Sequence, residues 1–145
     1  METAQSGQLA QGTMEVVKLL TTPEMRSAAV VLRDMGEIPY GAWSEEQKSA
    51  VSLRCNNFDV AGMFVQSKMA SEELIADGWT SSIQETYRIA GPHIAALRER
   101  FKNDTHWRYF EQLAIGSGAI GHTQPEVASA EPTSSGGAGI TAPRP

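Results

Sequence analysis

The chain has 145 residues, of which 41% are hydrophobic and 20% charged, with a formal net charge of −5. That length supports one domain with a real core and argues against two, while the acidic balance works against partners held through phosphate or an anionic bilayer, nucleic acid included. Cys55 is the only cysteine, which excludes an internal disulfide and a multi-cysteine metal site.

Composition divides the chain into an unstructured start (1–12), a folded region (13–114) and an unstructured tail (115–145) rich in Gly, Ala, Ser, Thr and Pro. Neither end carries enough large apolar side chains to offset its ordering entropy. The start also lacks the basic and apolar stretches of a secretory signal. No apolar run is longer than Ala28-Ala29-Val30-Val31-Leu32, far below the roughly 20 residues of a membrane-spanning helix. The expected setting is cytoplasmic, without membrane insertion.

Within the folded region a short helix is predicted over 14–20. Thr22 as cap, Pro23 at the first helical position and Glu24 in the first turn then open a second helix, which places Met25, Ala28, Ala29, Leu32 and Met35 on one face and stops at Gly36. Pro39 and Gly41 make 37–43 a loop. Ser44 and Gln47 form a capping box with Glu45 and Glu46 at the positive end of the helix dipole, so a third helix starts there.

Two apolar seams follow. Val51, Cys55, Phe58, Gly62, Val65 and Met69 recur every three or four positions, and Ile83, Tyr87, Ala90, Ile94, Leu97 and Phe101 repeat the pattern. This is the signature of two helices packed side by side. Ser71, Glu72 and Glu73 start the second of them after a very short connection, which implies an antiparallel hairpin with Gly62 opposite Ile83, Phe58 opposite Tyr87 and Val65 opposite Trp79. Pro92 is nominally a breaker, yet the apolar phase survives it, so a kinked helix or two nearly coaxial ones are expected rather than a change of direction. A last helix after Asn103-Asp104-Thr105 puts Trp107, Phe110 and Ala114 on one face and is expected to cap the open end of the hairpin. The predicted fold is all-α, a bundle of roughly five helices built on that hairpin.

Phe58-Asp59-Val60-Ala61-Gly62-Met63-Phe64-Val65, Glu73-Leu74-Ile75-Ala76-Asp77, the stretch from Tyr87 to Arg100, and Tyr109-Phe110-Glu111-Gln112-Leu113-Ala114 resemble the bacterial helical domain of unknown function 4760. The resemblance covers about 25–114. It implies a helical fold and supplies no activity, so no catalytic residue is carried over. Many members of that family have an N-terminal membrane helix, which suggests a soluble relative of a membrane-tethered regulator as one reading.

Chemistry-bearing residues are sparse. Arg88 with His93, and Arg100 with His106, have the Arg-x4-His and Arg-x5-His spacings of dimeric helical ribonucleases of the HEPN type, where such residues would act as general acid and base on an RNA hydroxyl. The simpler reading is that His93 packs against a neighbouring helix and His106 is a solvated first-turn residue. The acidic residues show no Glu-x-x-His pairing, so neither a metal nor another cofactor is implied. Cys55 on the seam reads as a small hydrophobe rather than a nucleophile. Arg98, Arg100, Lys102 and Arg108 lie among aromatics but are interleaved with Glu99, Asp104 and Glu111, which argues against a nucleic-acid platform. Trp43, Trp79 and Trp107 are core or rim residues first, and any one left exposed would mark an interaction surface. The leading expectation is a non-enzymatic module that works by protein–protein contact, with itself or with a partner.

Overall fold

Local capping decides where the helices begin. In the computed structural model, which describes residues 2–117 (side chains from residue 6), five helices follow one another: α1 (Glu2–Leu20), α2 (Pro23–Met35), α3 (Glu45–Gln66), α4 (Glu72–Phe101) and α5 (Arg108–Gly116). A 3-10 turn, Tyr40–Ala42, stands between α2 and α3, and no strand occurs among the described residues. The Thr22 hydroxyl accepts from Met25 N at 3.2 Å, and Ser44 and Gln47 exchange both bonds of the expected capping box at 2.8 and 3.1 Å. Gly36 ends α2 at φ +56°, a conformation costly for any residue with a Cβ. α4 runs unbroken through Pro92, as the uninterrupted apolar phase implied. Among the described residues, no helix is long and apolar enough to cross a membrane.

The first helix starts at Glu2, not near Met14, and so takes in residues expected to be unstructured. Its anchor lies mid-helix. Gly12 abuts the backbone carbonyl of Met69, and the Thr13 hydroxyl donates to Leu9 O at 2.7 Å while accepting from Ser71 N at 2.9 Å. Once these residues are fixed, adding turns upstream costs little, because propagation is far easier than nucleation. At the other end, α5 extends through Gly116, into the segment assigned to the tail, and residues from 118 onward lie outside the described part.

α3 is the central element, with α1, α2, α4 and α5 packed around it. Ser52 bonds His93 and Arg54 bonds Thr86, so ascending positions on α3 meet descending ones on α4. The expected partners along the seams need correction. Phe58 and Tyr87 both pack against Phe110 of α5, whose ring stacks on Phe58 at 5.7 Å and meets Tyr87 edge-on at 5.5 Å. Gly62 faces the backbone of Tyr109, not Ile83. α5 therefore lies along α3, between the two seams, instead of closing the bundle's end. Its 9 residues form too short a helix to persist alone, and α3 supplies its cap: the Asp59 carboxylate accepts from Phe110 N at 3.0 Å. The first seam also ends early, because α3 stops at Gln66 and leaves Met69 half in solvent.

Candidate functional site

Lys48, Ser52 and Asn56 recur at i, i+4 and i+8 on α3 and thus share one face of that helix. Opposite them on α4 stands His93, only 4% exposed. Its Nδ1 lies 2.9 Å from the Tyr40 hydroxyl and its Nε2 2.9 Å from the Ser52 hydroxyl. Tyr40, Trp43 and Trp107 surround the ring at centroid distances of 5.6, 5.7 and 5.9 Å. Trp107 in turn donates Nε1–H to the Asn56 side-chain oxygen at 2.7 Å, which fixes the orientation of that amide. A cleft of about 380 Å³ opens beside this cluster, lined in part by Lys48, Ser52, Asn56, His93 and Arg100.

A serine on a histidine is the beginning of a nucleophile and base, but the third member here is a hydroxyl. General-base action must place a positive charge on the ring, and among the described residues no carboxylate is hydrogen-bonded to His93 to stabilise it. Burial lowers the His93 pKa below its ordinary 6.5, and the nearby charges of Lys48 and His106 push in the same direction. The neutral ring is satisfied by its two hydroxyl neighbours in either tautomer, so the cluster bridges α3, α4 and the 3-10 turn as structure.

This arrangement has a pH consequence. With the folded pKa below the unfolded one, the unfolded chain binds the proton more readily, so stability is full above about pH 6.5 and falls as the solution is acidified through that value. Chemical denaturation at pH 7.5 and 5.5 should show lower stability at the acid value, with a shallower dependence in His93→Gln. A wild-type stability that rises on acidification through this window would refute the assignment.

The Arg/His pairs singled out by spacing do not form hydrogen-bonded pairs among the described residues. Arg88 is exposed and turned to Glu85 at 2.9 Å, away from the enclosed His93. Arg100 leans on the Phe101 ring at 5.4 Å, and His106 packs on Phe101 at 6.1 Å and on Trp107 at 4.4 Å. The structure does bring Arg100 and His93 to one cleft, a pairing that spacing did not suggest. Arg98 is committed to Glu111 at 2.9 Å and to the His106 carbonyl at 2.9 Å, so part of the basic stretch serves to tie the α4–α5 turn. Of the tryptophans, Trp43 and Trp107 are buried and Trp79 is half-buried against the core, so the first two offer no exposed contact surface. Cys55 is fully buried, and burial pushes its thiol up, away from the reactive thiolate.

The model of the family described as domain of unknown function DUF4760 matches residues 11–117. The chain belongs to this family. No curated protein and no solved structure matches it. The matched span opens one residue before Gly12, where α1 meets the bundle, and closes at Ser117, the cap of α5.

Two further features of this DUF4760 domain escaped sequence reasoning. One is the end of the bundle where α1 passes the α3–α4 connection. A cleft of about 560 Å³ there is lined by Leu9, Val65, Lys68, Ala70, Ser71 and Glu72, among others. Leu9, Met14, Met69 and Leu74, each within a turn of the Gly12–Met69 and Thr13–Ser71 contacts, are 37, 54, 50 and 57% exposed. The other feature is Arg54, a charged side chain 7% exposed in the middle of α3. The only sequence signal for it was a cation next to Cys55 on the seam, a position easily read as the rim of the apolar stripe.

Proposed function

We propose that this domain works by binding protein, and that the occupant of its α1 end is a second copy of the chain. The observation that supports this is the concentration of exposed Leu9, Met14, Met69 and Leu74 where α1 meets the α3–α4 connection, bordered by Lys68 and Glu72. Large apolar side chains exposed near one another, here each within a turn of the Gly12–Met69 and Thr13–Ser71 contacts, favour an interaction surface. α1 adds a second reason. Side chains 6–11 are all exposed, so this half of the helix gains little from the bundle, and Gly7 within it weakens it further. A second α1, packed reciprocally about a two-fold axis, would bury Leu9 and supply the missing tertiary contacts.

Sedimentation velocity on the full chain tests this. A dimer is expected at micromolar concentration, and Leu9→Asp combined with Leu74→Asp should shift it to monomer with unchanged helical circular dichroism. A monomer at every concentration, or a dimer indifferent to both substitutions, overturns the reading.

A further inference from the structure

Arg54 presents an unpaid electrostatic cost. Its Nε and Nη2 donate to the Thr86 hydroxyl at 3.3 and 3.2 Å, its Nη1 donates to the Met25 carbonyl at 3.3 Å, and its guanidinium lies over the Phe58 ring at 5.2 Å. All these acceptors are neutral. No carboxylate comes within ion-pair distance among the described residues, and two of the five guanidinium N–H groups have no acceptor there. A cation so deeply buried is tolerated at high cost unless an opposite charge meets it. Desolvation accordingly lowers its pKa, and a second cation, Arg33, lowers it further.

Both arginines line one cleft of about 260 Å³ between α2, α3 and α4, together with Ser81, Ser82 and Thr86. Glu85 also lines it, but Arg88 holds that carboxylate at 2.9 Å. Two like charges at a shared cavity repel unless an anion lies between them. We propose that this cleft binds the phosphate group of a small ligand, with Arg33 and Arg54 as its charge partners and the Ser81 and Ser82 hydroxyls as further donors. Phosphate fits better than carboxylate because the donors come from three helices and can approach a tetrahedral group from several sides, whereas a planar carboxylate is met by one fork. The site is separate from the α1 end and stands or falls independently of self-association.

Isothermal titration of the full chain with inorganic phosphate, glycerol phosphate and acetate tests the proposal. One saturable site for phosphate or its monoester is expected, with acetate much weaker. Equal binding of the two phosphates identifies the free ion as sufficient, and tighter binding of the ester shows that the apolar wall of Ala29 and Leu32 holds its carbon part. Arg33→Ala, an exposed rim substitution, should weaken binding about tenfold or more while leaving the unliganded melting temperature no lower, since it removes a like charge facing Arg54. Arg54→Lys should also weaken it, and if that variant does not fold, Arg33→Ala decides alone. Absence of saturable binding, equal affinity for acetate, or full affinity in Arg33→Ala overturns the proposal and leaves Arg54 as a brace between α2 and α4.

Discussion

Phe110→Ala should cost about 3–5 kcal/mol, the range for truncating a fully buried aromatic. The ring is what both apolar seams share: it stacks on Phe58 of α3 and meets Tyr87 of α4 edge-on, so its loss empties the contact that joins three helices. Little would remain to hold α5, whose 9 residues cannot sustain a helix unaided. Urea unfolding measures the change directly. Phe101→Ala is the control, since that ring is 57% exposed and its removal should fall within about 0.5 kcal/mol of zero. Similar losses in the two variants would mean that α5 is not bound through Phe110.

Gly62→Ala should destabilise the domain by about 1–3 kcal/mol, against the direction expected from helix propensity. An added Cβ would run into the Tyr109 carbonyl oxygen and stand 2.8 Å from its carbon, and neither atom can rotate away because both belong to the backbone of α5. Relief requires shifting α5 off α3. Gly78 provides the contrast within α4: an added Cβ there meets nothing within 4 Å, so alanine should stabilise by roughly 0.5–1 kcal/mol through reduced unfolded-state entropy. Opposite signs on the same denaturation assay would locate the close helix crossing at Gly62. A stabilising Gly62→Ala would refute it.

These effects show how unevenly the chain reveals itself. Thr22, Ser44 with Gln47, Ser71 and Gly36 were readable as boundaries because each acts on backbone groups within a few residues, and the unbroken phase across Pro92 was readable for the same reason. The start of α1 was not, because 2–12 is held by an anchor that only forms when Thr13 reaches Ser71 across the fold. The placement of α5 was hidden too. An apolar stripe states that it must be covered and carries no address for what covers it, so Phe58 and Tyr87 were paired with each other when each packs on Phe110 of α5.

The candidate sites divide along the same line. His93 and the tryptophans stood out as residue types, but their state depended on Tyr40 and Ser52, 53 and 41 positions away in the chain. Arg54 is the sharpest case, since its chemistry rests on what the neighbouring helices fail to supply. Short-range hydrogen bonding and periodicity were enough to make this an all-helical chain with the starts of α2, α3 and α4 correctly placed at Thr22, Ser44 and Ser71. Which helix lies on which, which histidine is enclosed and which cation meets no counter-charge among the described residues were settled only by packing, because each depends on groups that meet after the chain has folded back on itself.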